Sequence, residues 1–156
     1  MKEKRYGVVP PAEQANLSGL DFVHSLVSGV LPHNSMARTL GYDIVEAAPG
    51  RVVVTAMPTA ELLNPAGTVH GGFSATLLDT CMGLAVLTTV DKGFGSTTLE
   101  FKISFVRPIT PETGLLRAEG IVVSGGRRVG TAEGRVTDAA GRLLAHATTT
   151  CLIFER

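Results

Sequence analysis

The sequence predicts an α+β domain in which a curved antiparallel sheet wraps around one long central helix. From Gly71 to Val90 the chain is apolar almost throughout, which indicates a single buried helix. After residue 95 the chain breaks into strand-like runs separated by glycine-containing turns. A helix that is apolar on nearly every side has to be enclosed, and the sheet is the element that can enclose it.

Capping and turn residues define the elements before the long helix. Ser18 can cap a short helix with one apolar face, and Pro32 ends that helix. A second short helical turn ends at Gly41. Two β-rich runs then flank Pro49 and Gly50, which together predict a β-hairpin.

Four strands are predicted after the long helix. In the first, apolar and polar residues alternate, the apolar ones being Leu99, Phe101, Ile103 and Phe105. Three more strands follow, joined by glycine-rich or Asp-to-Gly turns. A sheet wrapped around a central helix is the hotdog arrangement. Such a sheet has an edge strand that a second copy can satisfy by pairing, so we expect a homodimer that forms a homotetramer.

Composition limits the function classes. The chain has 156 residues, 44% of them hydrophobic, and a formal net charge of +0, so nothing suggests a nucleic-acid partner. We assign residues 1–16 to a flexible N-terminal arm and residues 17–156 to one domain. No basic cluster flanks the apolar run, and the N-terminus has no secretory signal. We therefore expect a cytoplasmic protein without a membrane partner, in which Cys81 and Cys151 are buried thiols.

Asp79 is the one charged residue in the apolar run from Gly71 to Val90. At about 100° per residue it shares a narrow helix face with Gly72, Ala75, Gly83 and Val86. Small neighbours leave room for a ligand to reach the carboxylate. They also suit a tight subunit interface in which Asp79 is paired, and the angular pattern alone does not separate these two interpretations.

The segment His70-Gly71-Gly72 lies where the chain enters the long helix. Paired glycines allow close backbone approach, and the first N–H groups of a helix lack internal partners. Such donors can stabilise an oxyanion. Asp79 is roughly 12 Å further along the helix axis, so we expect the two groups to meet across a subunit two-fold. A carboxylate with an oxyanion donor is suited to acyl-group hydrolysis.

Three segments carry a family resemblance. The first is Asn-Pro-x-Gly-x-x-His-Gly-Gly-x-x-x-x-Leu-x-Asp, from Asn64 to Asp79; the others are TTLEFKISFVRPI and GRRVGTAEGRVTDAAGRLLAHATTTCLIF. Together they resemble the PaaI-like hotdog-fold acyl-CoA thioesterases, over about Leu31 to Phe154. The His-Gly-Gly to Asp spacing is the more specific part of the match.

The resemblance implies a role for each matching residue. Asp79 would activate water or attack the thioester itself, and the Gly71 N–H would form the oxyanion hole. Asn64 of the neighbouring subunit would orient the water or the carbonyl. His70 would shape the loop near that carbonyl. Thr98, or alternatively Thr97, would hold the nucleophilic water.

The resemblance also implies where coenzyme A binds. These positions are Gly72, Thr97, Arg107 and the segment Ser124, Gly125, Gly126, Arg127, Arg128 and Val129. Arginine binds phosphate well, and the N–H groups of a glycine turn can also contact it. The alternative is that these arginines are solvated charges on strand ends. No metal and no separate cofactor are implied, because coenzyme A is part of the substrate.

Other chemistries have weaker support. The four histidines are scattered, without the spacing of a metal site, and Ser74 lacks a nucleophile elbow. Cys81 lies about 200° around the helix from Asp79, so it faces another surface. Two alternative functions stay open: a non-catalytic acyl-CoA-binding module, and a hotdog hydratase or dehydratase. The sequence does not identify the acyl group.

Overall fold

The structure is a computed structural model that describes residues 4–156. Its helices and strands follow one another in a simple order. They are α1 (Pro11–Ala15), α2 (Gly19–Val27), α3 (Ser35–Leu40), β1 (Tyr42–Ala48), β2 (Arg51–Ala56), α4 (Gly71–Leu87), β3 (Phe94–Phe105), β4 (Leu116–Gly125), β5 (Val129–Thr137) and β6 (Leu143–Glu155). Single 3-10 turns at Ala60–Leu62 and Pro111–Thr113 complete the connections.

The strands form one antiparallel sheet in the order β1-β2-β4-β5-β6-β3. Helix α4 contacts all of these strands, so the sheet curves around it. The predicted α+β hotdog fold is therefore confirmed.

Glycines let α4 approach the sheet closely. A Cβ atom at Gly120 would lie 2.4 Å from the backbone of Cys81, and one at Gly134 would lie 2.8 Å from the Met82 side chain. Because side chains at these strand positions would push the helix away, the glycines set the spacing between helix and sheet. Leu77, Leu78 and Met82 are fully buried in that interface.

The predicted caps and hairpin are present. The Ser18 hydroxyl accepts a hydrogen bond from the Asp21 N–H at 3.1 Å and starts α2. Helix α3 ends at Gly41, whose φ of 69° is a left-handed conformation that favours glycine. The turn at Pro49 and Gly50 joins β1 to β2.

Helix α4 differs from its prediction at two points. It ends at Leu87 rather than near Val90, because the Thr88 hydroxyl donates to the Ala85 carbonyl at 2.6 Å and accepts from the Gly50 N–H. Val86, expected on the Asp79 face, is instead 1% exposed and packs against Gly130. At the C-terminal end of α4 the sheet therefore covers a helix face that the prediction at 100° per residue had left open.

The N-terminal segment 4–16 lies against the domain, while residues 1–3 of the predicted arm are outside the described residues. The Gly7 N–H donates to the His33 carbonyl, and the His33 N–H donates to the Arg5 carbonyl, both at 2.9 Å. Val9 is only 6% exposed. The flexibility of this arm and its boundary at residue 16 stay predictions.

Strands β1 and β3 are the edges of the sheet. On β3, Leu99 and Phe105 are more than half exposed, although the alternating pattern predicted an inward face for both. This exposure suits pairing with a second copy, and the homodimer and homotetramer stay predictions. No helix in the described range 4–156 has the length and hydrophobicity that crossing a bilayer requires.

Candidate active site

Asp79 is partly exposed on α4, and its carboxylate is held from the sheet. The Thr98 hydroxyl on β3 donates a hydrogen bond to Asp79 Oδ1 at 2.8 Å. Within residues 4–156 the Asp79 side chain forms no other hydrogen bond, so its Oδ2 atom is available to a ligand. Asp79 also lines a cavity of about 460 Å³, together with Thr97 and Thr98.

A β-bulge directs Thr98 toward the helix. The pairing of β3 with β6 shifts between Thr98 and Glu100, which leaves Leu99 as the extra residue. Residues three apart on a regular strand face opposite sides of a sheet. The inserted residue therefore allows both Thr98 and Phe101 to face α4, where Phe101 packs on the core. No signal in the sequence alternation marks this bulge.

The His70-Gly71-Gly72 entry has a specific geometry. His70 is the N-cap of α4, and its Nδ1 accepts the Gly72 N–H at 2.9 Å. A Cβ at Gly72 would lie 2.9 Å from that ring, and a Cβ at Gly71 would lie 2.8 Å from the Phe105 ring. A side chain at either position would therefore displace the neighbouring ring. No hydrogen bond from the Gly71 N–H to another described residue is recorded, as expected for the first turn of a helix.

Asn64 organises the loop before this entry. Its Oδ1 accepts from the N–H groups of Ala66 and Thr68, at 2.9 and 3.2 Å, and its Nδ2 donates to the Thr68 hydroxyl. In its own chain this side chain therefore holds the turn. A catalytic role for Asn64 toward a neighbouring subunit stays a prediction.

The predicted site residues form separate groups in one chain. Asp79, Thr97 and Thr98 line the cavity of about 460 Å³. Asn64, Gly71 and Arg107 line another, of about 410 Å³. On α4 the first cavity borders Asp79 to Leu87, whereas the second borders Gly71 and Ser74, so the two lie at different levels along the helix. A site shared across a two-fold stays a prediction.

The two predicted phosphate-binding regions are far apart. Val129 pairs with Leu152, which pairs with Thr97, so the Ser124–Val129 turn lies two strands, or about 10 Å, from Thr97. Arg107 follows the opposite end of β3, roughly 30 Å from Thr97 at about 3.3 Å per residue, and its Nη1 donates to the Leu143 carbonyl. Arg127 and Arg128 are exposed, and no ion pair to either is found within residues 4–156.

The cysteines are packed thiols, as predicted. Cys81 and Cys151 are both buried and unpaired by disulfide. Burial raises the pKa of Cys81 far above its usual range, and desolvation also raises the pKa of Cys151. Neither thiol has the lowered pKa of a nucleophile. No cluster of three metal-ligating side chains occurs in the part of the chain that the structure describes.

Sequence reasoning missed several walls of the Asp79 cavity. Thr80 and Leu84, which are not on the predicted narrow face of Asp79, line it beside Gly83. The N-terminal segment and Phe22 of α2 also contribute. The helical angle of Thr80, 100° from Asp79, could have suggested its place. The part played by the N-terminal segment depends on tertiary packing.

Comparisons with known proteins agree with this architecture. The family model described as "Thioesterase superfamily" matches residues 66–145. Human acyl-coenzyme A thioesterase 13 is 26% identical over 124 residues, covering 79% of this chain and 88% of that protein. A Ralstonia eutropha phenylacetic acid degradation-related protein is 32% identical, with a TM-score of 0.76, and the match covers 84% of this chain and 98% of that one.

Two further solved structures bear on the fold and on ligands. A Streptococcus mutans protein bound to acetyl CoA is 30% identical, with a TM-score of 0.67, over 74% of this chain and 90% of that one. E. coli PaaI is 24% identical, with a TM-score of 0.76, and the match covers 88% of this chain and 96% of that one. It has the same fold. The resemblance read from the sequence is confirmed. The chain belongs to the thioesterase superfamily, as a hotdog-fold thioester hydrolase of the PaaI-like type.

Proposed function

We propose that the chain hydrolyses acyl-CoA or aryl-CoA thioesters to a free acid and coenzyme A. The observation that carries this proposal is the Asp79 carboxylate, which is fixed by Thr98 through one oxygen and lies in the wall of a cavity. The naming of human acyl-coenzyme A thioesterase 13 and the acetyl CoA held by the S. mutans protein support a CoA thioester as substrate.

Asp79 has two chemical routes. As a general base it removes a proton from water, and the resulting hydroxide attacks the thioester carbon. As a nucleophile it forms a mixed anhydride that water then hydrolyses. In both routes the C–S bond breaks, CoA leaves as the thiolate and then takes up a proton. Thr98 holds the carboxylate in one orientation, which reduces the cost of alignment.

The oxyanion is stabilised by the Gly71 N–H of a facing subunit, since that group has no partner among residues 4–156 of its own chain. His70 Nδ1 accepts the Gly72 N–H, so its neutral ring carries the proton on Nε2 and can donate it near the carbonyl. Asn64 of the same loop orients the water or the carbonyl. These contributions require at least a homodimer, and we propose a homotetramer in the cytoplasm.

Coenzyme A binds through the Ser124–Val129 turn at its nucleotide end. Exposed Arg127 and Arg128 supply cations there, and the turn is about 10 Å across the sheet from Thr97. Arg107 is remote from this turn in one chain, so it contributes from another subunit. The reaction needs no cofactor beyond the CoA of the substrate.

Product analysis tests this function. The purified protein is incubated with octanoyl-, phenylacetyl- and crotonyl-CoA, and a thiol-trapping reagent and mass spectrometry follow the products. We expect one equivalent of free acid for each CoA released. Hydration of crotonyl-CoA without CoA release would instead indicate a hydratase, and tight binding without turnover would indicate a non-catalytic module.

A further inference from the structure

The Asp79 cavity continues along α4 well beyond the carboxylate. On the helix it is lined from Asp79 through Gly83 and Leu84 to Leu87. The eight residue steps from Asp79 to Leu87 correspond to about 12 Å at 1.5 Å per residue. Beyond Asp79 the lining is mainly apolar and includes Phe22, Leu26, Leu84 and Leu87, with Gln14 and Ser96 as polar members. A mainly apolar cavity that begins at a carboxylate fits a ligand with a polar head and an apolar chain.

The N-terminal segment forms part of the wall of this cavity. Gly7, Val9 and Gln14 line it, and Gln14 Nε2 donates to the Val9 carbonyl at 2.7 Å. The Gly7 N–H bond to the His33 carbonyl anchors the segment to the domain. The segment therefore encloses space next to the reactive carboxylate.

Phe22 of α2 is placed to close the distal end. Helix α2 begins at Gly19, where an added Cβ would overlap the Leu87 carbonyl, so the start of α2 lies against the end of α4. Phe22 follows one turn later, is half-buried, and lines the cavity.

We propose that this cavity binds the acyl chain of the substrate and selects acyl groups about 8–10 carbons long. This inference rests on the proposed thioesterase function and names its substrate class. An extended chain of single bonds advances about 3.3–3.6 Å per three bonds, so ~12 Å holds roughly ten bonds. The N-terminal segment and Phe22 are the specificity-determining elements.

The test is a profile of kcat/KM over straight-chain acyl-CoAs from C4 to C16, with phenylacetyl-CoA included. Burying a methylene contributes about 0.8 kcal/mol, so kcat/KM rises roughly fourfold per methylene up to C8–C10. Beyond that length it stops rising or falls. A maximum at C4 or C16, or a preference for phenylacetyl-CoA over every straight chain, would overturn the proposal.

Two variants move the preferred length in opposite directions. Gly83→Ala adds a methyl group at ordinary contact distance, 3.5 Å from Thr98 Oγ1. Because alanine has a higher helix propensity than glycine, the variant retains the fold. We expect this variant to favour shorter chains. Phe22→Ala opens the distal end, so C12 and C14 substrates gain at least fivefold relative to C8.

Phe154→Ala is the matched control, because Phe154 is 40% exposed and is not among the residues that line this cavity. Its length profile stays that of the wild type. If Gly83→Ala and Phe22→Ala change all chain lengths equally, the cavity does not bind the acyl chain, even though hydrolysis stands. If the wild type hydrolyses no acyl-CoA, the proposed function fails instead. In that case, weaker binding of octanoyl-CoA by Gly83→Ala than by the wild type would still support the cavity assignment.

Discussion

The two faces of α4 carry ionisable groups that differ in their exposure to solvent. Cys81 faces the sheet, is fully buried, and its thiol donates to the Leu78 carbonyl at 3.4 Å. Asp79, two residues earlier, is partly exposed and borders open cavities. Burial raises the pKa of Cys81 and keeps its thiol neutral, while Asp79 accepts a single hydrogen bond from Thr98. Position relative to the sheet therefore separates the packed face from the face that we propose carries out the reaction.

The largest expected effect on stability is on the packed face. Gly120→Ala places a Cβ 2.4 Å from the Cys81 backbone. Strand β4 or helix α4 has to shift to relieve this contact. Overpacking of this kind lowers the free energy of unfolding by about 3 kcal/mol. Urea unfolding followed by circular dichroism measures it. Gly125→Ala, where nothing lies within 4 Å, is the control, and equal stability of the two variants would contradict the tight helix–sheet contact.

Thr98→Val removes the hydrogen bond that holds the carboxylate proposed to react. The substitution keeps the volume and removes the hydroxyl that donates to Asp79. A hydrogen bond to a charged group contributes about 2 kcal/mol, so kcat falls roughly 30-fold while the fold persists. The exposed Thr148→Val on β6 provides the comparison. An unchanged kcat for Thr98→Val would show that the hydroxyl does not position Asp79.

Gly71→Ala tests the helix entry. The new methyl would lie 2.8 Å from the exposed Phe105 ring, which has to move and crowd the Gly71 N–H. We expect about a tenfold fall in kcat/KM, less than the 10²–10³ typical of a lost oxyanion donor, because the N–H itself remains. Adding Phe105→Leu restores part of the activity. Failure of that second change to restore any would remove steric crowding as the cause.

The smallest expected effect concerns Cys81. Because burial raises the pKa of this thiol, it stays protonated at neutral pH, and alkylation by iodoacetamide in the native state is slow. Cys81→Ala leaves kcat within about twofold of the wild type, since the thiol plays no part in the reaction. Mass spectrometry of the alkylated protein and steady-state assays check both statements. Rapid labelling of Cys81 with loss of activity would contradict this prediction, because it would show a reactive thiol on the face of α4 that packs against the sheet.

Local signals predicted most of the fold. Ser18, Gly41 and the Pro49-Gly50 turn act through neighbouring residues, so their effects are readable along the chain. The long apolar helix requires enclosure, which determined the architecture. The end of α4 was misplaced because Thr88 forms side-chain bonds, one of them to the distant Gly50.

The site was predictable where a motif fixes it. The spacing from His70 to Asp79 identified the carboxylate and the helix entry. Thr98, ahead of Thr97, was predicted to hold the nucleophilic water; its hydroxyl bonds the Asp79 carboxylate itself, and its contact with a water stays a prediction. The bulge at Leu99 and the cavity wall formed by residues 7–9 could not be predicted. Both depend on strand pairing or on packing between segments distant in sequence.

The most direct test is the kcat of Asp79→Asn on octanoyl-CoA. Asparagine keeps the shape and can still accept the Thr98 hydrogen bond, so the protein folds, and Glu133→Gln on the exposed side of β5 controls for loss of a carboxylate. Loss of a general base or nucleophile lowers kcat roughly thousandfold. We predict that fall for Asp79→Asn and none for Glu133→Gln; a folded Asp79→Asn variant with kcat near that of the wild type would contradict the assignment of Asp79 as the reactive carboxylate.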